Sequence, residues 1–294
     1  MKLRNIVVGV DFSDLSKEAL ERACQLARES RAKLRLVHVV DRTVAAGMAE
    51  WEECDVDDVR SRLTDQAHTA LEELGKSADT PLPTLSRVLF GDPVEELIHQ
   101  IKQVNAELLV IGVRGVLADV MGAGAQAARL VRQAPCDVYL HAGGAGKSIR
   151  KILVAIDFSE VSRTVVEHAV SVARAHQAEL HLLHVDVAPW GKLLFGPEQG
   201  GANFSQDSRT ATLDERLRGF IEDKDLGQVH YHLIESPHAG KSISQVVGQV
   251  EADLLVLGTR DPGSLKYLFL GSTAEHVLME RPCSLLAVRP DAED

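Results

Sequence analysis

The sequence predicts an α/β protein made of two open, five-stranded, parallel-sheet domains in tandem. Three observations carry this expectation. Ile6 to Val39 can be laid over Ile152 to Val185 without a gap at an offset of 146, and fifteen of thirty-six residues from position 6 to 41 are identical to their partners. Short, nearly all-apolar, β-branched runs alternate with amphipathic stretches, the pattern of right-handed βαβ units whose strands are covered on both faces. A length of 294 residues leaves each copy enough chain for its own core.

The elements follow in order. Ile6 to Val10 and Ile152 to Ile156 are first strands. Ser13 and Ser159 sit where a helix N-cap belongs, and Ala19, Leu20, Ala23, Leu26 and Ala27 recur at helical spacing to face a sheet. Leu34 to Val40 and Leu180 to Val187 are second strands. Segments 43 to 78 and 188 to 226 are the least alike between the copies and contain helical stretches at Val59 to Leu74 and Leu213 to Ile221. Val88 to Phe90 and His232 to Ile234 read as third strands, Pro93 to Val104 and Ile243 to Val250 as helices, and Leu108 to Ile111 and Leu254 to Leu257 as fourth strands. A glycine-rich loop, a helix and a last strand (Val138 to His141; Leu285 to Val288) complete each copy. The domains are read as 1–142 and 151–294, with the glycine-rich stretch 143–150 as linker. In such sheets ligands sit beyond the carboxyl ends of the strands where strand order reverses, so the loops after the first and fourth strands should meet at any site.

Composition excludes several classes of function. Lys and Arg number 32 against 43 Asp and Glu, a net charge of −11, which lacks the positive field that nucleic acid or an anionic membrane needs. No apolar run approaches the roughly 20 residues of a membrane span, and the first strand begins at once, so a cytoplasmic protein is expected. Four widely spaced cysteines form no Cys-x-x-Cys pair, and the twelve histidines show no His-x-x-x-His spacing, so neither a disulfide framework nor a metal is expected.

A strand ending in Val-Asp-x-Ser (Asp11, Ser13; in the second copy Asp157, Ser159) precedes a second strand carrying His-Val (His38-Val39; His184-Val185). A fourth strand is followed by Gly-x-x-Gly, a nine-residue gap and Gly-Ser/Thr. In this ordered set, present twice and spanning about 6–142 and 151–290, the chain resembles the universal stress protein family in its tandem, two-domain form. The resemblance implies a Rossmann-like domain of the adenine nucleotide alpha hydrolase type. It implies ATP or AMP as ligand in those members that bind nucleotide, with magnesium or manganese as the alternatives for an accompanying ion; other members have the fold without it.

The pattern has a physical sense. A carboxylate at the end of strand one suits a ribose hydroxyl or adenine amino group, and the main chain at Val39 or Val185 can read the adenine edge. Glycines after strand four (Gly112 and Gly115; Gly258) let backbone approach ribose and phosphate. A Gly-Ser pair opening the last helix offers amides, a hydroxyl and the positive end of a helix dipole. Neither copy is intact. In the first, only eight residues separate Gly115 from Gly124, and Ala125 replaces the hydroxyl residue. In the second, Gly271-Ser272-Thr273 is complete, but Asp261 replaces the second glycine and Pro262 follows it. If one copy binds, the second is favoured, through Asp157, Val185, Gly258, Gly271, Ser272 and Thr273; the corresponding set in the first is Asp11, Val39, Gly112, Gly115 and Gly124.

Plainer roles stand beside these. Asp11 and Asp157 can brace the turn after strand one, Ser13 and Ser159 can be caps, and His38 and His184 can be sheet-end histidines. Gly240-Lys241-Ser242 matches the end of a phosphate-binding loop, but its required first glycine would be Glu235. No catalytic triad or arginine-finger arrangement stands out, so ATP turnover would be slow at most. The expected function is a cytoplasmic stress-response protein that binds adenine nucleotide as sensor or regulator. The alternative is a nucleotide-free scaffold, or a protein of the same fold for another small ligand. The apolar last strands should not be left as bare edges. The resemblance implies that the two copies pair through them inside one chain; a homodimer of whole chains is compatible with this but not visible in the sequence.

Overall fold

The structure, a computed structural model, describes residues 3–77, 84–113, 123–143, 148–187, 206–221, 226–259 and 271–289. Gly115, Arg114, Asp119, Asp261, Pro262 and Lys266 lie outside the described residues. The chain divides into two compact units: Met1–Lys147 with Ser284–Arg289, and a second whose body is Ser148–Cys283.

The first unit runs β1 (Asn5–Gly9), α1 (Asp14–Ser30), β2 (Lys33–Asp41), α2 (Arg42–Glu52), α3 (Val56–Ser77), β3 (Thr84–Gly91), α4 (Pro93–Val104), β4 (Leu108–Gly112), α5 (Ala123–Gln133) and β5 (Asp137–His141). Its strands lie in the order β3-β2-β1-β4-β5, all parallel. The second unit runs β6 (Lys151–Ile156), α6 (Glu160–His176), β7 (Glu179–Asp186), α7 (Gln206–Arg218), β8 (Val229–Glu235), α8 (Ala239–Val250), β9 (Leu254–Gly258) and α9 (Ser272–Glu280), with parallel order β9-β6-β7-β8. The last strand, β10 (Ser284–Val288), belongs with the first unit, where it pairs antiparallel with β5, Leu286 opposite Tyr139. The α/β class is as the sequence predicts. Beside β5, β10 is the neighbour that the sequence expects an apolar last strand to have. The physical reason is the apolar edge of β5, which needs a hydrogen-bonding neighbour.

The central strands bury apolar side chains on both faces, as their unbroken apolar runs require: Ile6, Val7 and Val8 of β1 and Ile152, Leu153 and Val154 of β6 are wholly buried. Helix ends follow local chemistry. The Asp92 carboxylate accepts from the amides of Val94 and Glu95 with Pro93 at the first helical position, and α4 stops at left-handed Asn105. Segment 43–77, variable in sequence, forms layers on the sheet: α2 and α3 pack against each other, on β2 and, for α3, on β3. There Ala45, Ala49 and Val59 make a small core joined by Met48, Leu63 and Phe90. None of the four cysteines forms a disulfide, and only Cys54 is exposed.

Strand order reverses between β1 and β4 and again between β6 and β9, so the loops after these strands open on the crevice where ligands of open α/β sheets are held.

Candidate functional site

Both repeats leave their first strand through the same elbow. Phe12 and Phe158 adopt left-handed backbone at φ 63° and 62°, a conformation that costs an ordinary side chain about 1 kcal/mol or more. Compensating contacts surround each. The Phe12 ring lies 4.5 Å from that of His38, and Phe158 lies 4.2 Å from His184. The His38 Nδ1–H donates to the Val10 carbonyl at 2.7 Å and the His184 Nδ1–H to that of Ile156 at 2.9 Å. Burial pushes the His38 pKa below its ordinary value, against the raising effects of the Val10 carbonyl and Asp11. These histidines are thus sheet-end braces.

Each elbow carries a carboxylate in the loop after its first strand, and that of Asp157 lines a crevice. The Asp11 Oδ1 accepts from the Ser13 amide at 3.0 Å and the Ser13 hydroxyl at 2.6 Å. The Asp157 Oδ1 accepts from the Ser159 amide at 2.9 Å and the Ser162 hydroxyl at 2.8 Å. Dehydration by neighbouring atoms would raise the Asp157 pKa, but these donors outweigh it and hold the carboxyl below its ordinary value. Asp157 is therefore an anion at neutral pH. Ser13 caps α1, its hydroxyl accepting from the Ser16 amide at 3.2 Å. Ser159 occupies the matching position but makes no side-chain cap bond. The reason lies in the next turn: the Ser16 hydroxyl donates back to the Ser13 carbonyl, whereas the Ser162 hydroxyl turns to Asp157.

In the second unit a cleft of about 220 Å³ opens beside Asp157. All six residues expected from this copy line it: Asp157, Val185, Gly258, Gly271, Ser272 and Thr273. The described walls are otherwise mostly apolar, with Ile156, Val165, Leu183, Ile243 and Leu257 among them, and Asp157 is the one ionisable group among the described lining residues. Helix α9 starts at its rim, with Gly271 as extended N-cap (φ −61°, ψ 144°) and no side-chain cap, so the first amides of the helix keep their capacity to bind a ligand. The last register pair of β7 with β6 is at His184, which leaves the Val185 main chain beyond the end of β6.

The first unit places its set differently. Asp11 and Val39 lie at the matching elbow and strand end, and Gly112 ends β4. A Cβ on Gly112 would lie 2.6 Å from the Leu15 backbone and 2.7 Å from the Ser16 amide, so the space its missing side chain leaves is filled by the first turn of α1. At Gly258 the nearest neighbour of such a Cβ is a Val161 methyl at 3.2 Å. Gly124 lies one residue inside α5, not at an open cap, and Gly115 is outside the described residues. Gly240 is likewise a packing glycine: its absent side chain makes room for His276, whose Cβ would lie 2.7 Å away.

Sequence reasoning did not assign Ser162 or the apolar walls to the site. Ser162 was visible as one of the identities of the repeat; its turn toward Asp157 was not, because its partner Ser16 makes a different bond.

A family model described as the universal stress protein family matches residues 2–140 and 148–289. The chain is 30% identical over 292 residues to the universal stress protein Rv2005c of Mycobacterium tuberculosis, covering 94% of each. It is 24% identical over 311 residues to the universal stress protein E homolog of Haemophilus influenzae, covering 100% of each. Among solved structures, a universal stress protein from Archaeoglobus fulgidus matches with a TM-score of 0.68 over 98% of this chain and 97% of its own, at 20% identity, a likeness of fold.

Proposed function

The chain belongs to the universal stress protein family, and on that premise we propose that its second repeat binds an adenine nucleotide, ATP or AMP, as a cytoplasmic sensor or regulator. The observation that carries this is the convergence of Asp157, Val185, Gly258, Gly271, Ser272 and Thr273 on one cleft. Its volume is below the roughly 300–1,000 Å³ of typical ligand pockets, so purine and ribose fill it and the phosphates run out along the start of α9.

Each part of the ligand then has a partner of the right chemistry. The apolar walls take the faces of the purine. The Val185 main chain reads its edge, and the ionised Asp157 accepts from a ribose hydroxyl. Phosphate oxygens receive the amides of Ser272 and Thr273 at the positive end of the α9 dipole. A magnesium ion accompanying the phosphates would find hard oxygen donors in the Ser272 and Thr273 hydroxyls and would supply countercharge to the phosphates.

Acid or heat extraction of the purified protein, followed by chromatography, should release ATP or AMP, and adding ATP with magnesium should raise the melting temperature. Gly271→Asp should reduce affinity at least tenfold by placing a carboxylate against the phosphates, and Asp157→Ala should weaken binding as well. No released nucleotide together with no thermal shift at millimolar ATP would instead support the nucleotide-free scaffold.

A further inference from the structure

The second unit carries a second cluster of functional groups, away from the cleft residues. In β7, Glu179 and His181 are separated by one residue; in β8, so are His230 and His232. The period of two in a strand puts each pair on one face. Register sets His181 opposite His230 and Leu183 opposite His232, so all four side chains share that face. The His181 ring is stacked 4.6 Å from that of His230 and 5.2 Å from that of His232. His181 is 7% exposed, while His230 opens to solvent.

Its two ring nitrogens have different fates. Nδ1 lies 3.0 Å from His232 Nε2. Nε2 is buried, makes no hydrogen bond, and stands 3.8 Å from Glu179 Oε2. An unpartnered buried polar atom costs about 1–3 kcal/mol, and an imidazole nitrogen facing a carboxylate and a second imidazole is a known way to recover it with a metal.

We propose that Glu179, His181 and His230 bind a divalent transition metal of the zinc class, with water as the remaining ligand. One ligand atom from each of the three lies within 4.8 Å of the others. Bonds of about 2.0–2.2 Å in a tetrahedral site need them about 3.3 Å apart, a closure that rotation of the exposed His230 and half-buried Glu179 side chains supplies. Two imidazoles and one carboxylate suit zinc rather than the all-oxygen preference of magnesium or calcium. His232 then accepts from His181 Nδ1–H and fixes the tautomer that presents Nε2 to the metal, the role of an outer-shell partner. Lys151, across the register from Glu179, pairs with Glu251 at 3.9 Å. The first repeat is an internal contrast: the corresponding strand positions hold Lys33, Arg35, Leu85 and Arg87, which offer no ligand.

The test uses the full chain, stripped with a chelator and titrated with zinc alone against a chromogenic competitor, so it does not depend on nucleotide. One equivalent should bind, and visible absorption of the cobalt(II) form should show tetrahedral coordination. His230→Ala and Glu179→Gln should each lower zinc affinity at least tenfold with unchanged circular dichroism; both side chains reach solvent, so neither change burdens the core. His232→Ala should lower it about 10-fold or more through the outer shell. Failure of the wild-type chain to bind zinc at micromolar concentration, or one-equivalent binding unaffected by both His230→Ala and Glu179→Gln, would overturn the proposal.

Discussion

Gly112 and Gly258 end the fourth strand of their respective repeats, in the same motif, yet they do different things. Main chain of α1 fills the space beside Gly112, whereas Gly258 lines a cleft and has only the side chains of Val161 and Val165 nearby. The helix that follows differs too: α9 begins at an uncapped Gly271, while Gly124 is already inside α5. A glycine in a binding motif therefore has two physical reasons to be there, room for a ligand and room for the protein's own backbone. Only the neighbour across the gap tells them apart.

The sharpest way to break this comparison is to fill both gaps. Gly112→Ala should destabilise the protein by about 3 kcal/mol, since backbone cannot step aside as a side chain can. Gly258→Ala should cost about 1 kcal/mol or less. Guanidinium unfolding of the two variants checks this, and equal costs would show that the two glycines are equivalent after all.

The carboxylates sharpen the comparison at the ligand. Asp157→Ala should reduce ATP affinity about tenfold, or roughly 1.4 kcal/mol, while Asp11→Ala leaves it unchanged. Isothermal titration of both separates them, and a loss in Asp11→Ala would move binding to the first repeat.

The serines give a smaller contrast. Ser13→Ala should cost about 1 kcal/mol by removing a cap that accepts the Ser16 amide, and Ser159→Ala only a few tenths, because its hydroxyl makes no such bond. Thermal unfolding of the pair would expose a hidden cap at Ser159 if the losses matched.

The last contrast is in pH. His141, buried at the end of β5, corresponds to Val288 of the second repeat. Burial holds its pKa below the ordinary 6.5, despite the Glu18 carboxylate 3.2 Å from its Nε2. In that state the folded protein binds fewer protons than the unfolded chain, so the stability it contributes is complete above pH 6.5 and declines as the pH falls below it. His141→Val should flatten the acid side of the stability profile, and an unchanged profile would mean that other groups govern it.

Much of this molecule was legible in the sequence. The offset of 146 and the apolar runs gave the repeat, the strands and their parallel class, and the Asp-Phe-Ser and Gly-Ser-Thr motifs marked the loops that line the cleft. Other features were not legible. Helix α2 was not legible because Arg42–Glu52 has no strong apolar stripe, its buried residues being the small Ala45 and Ala49, which pack with Val59 and Phe90 from elsewhere. The cluster of Glu179, His181 and His230 escaped a search for helical histidine spacing, because its two halves are strand-spaced pairs about fifty residues apart.

Sequence by itself determined what is periodic and local: the duplication, the alternation of strand and helix, the elbows that need Asp, Phe and Ser in succession, and the residues facing the crevice. Tertiary structure alone decided how close one element comes to another. It set the α1 backbone against Gly112 and only side chains against Gly258, and aligned β7 with β8 so that imidazoles 49 to 51 residues apart share one face. The physical reason is that backbone propensity and hydrophobic period act within a few residues. Distances across a packed interior are set by the sum of many side-chain volumes that no single segment contains.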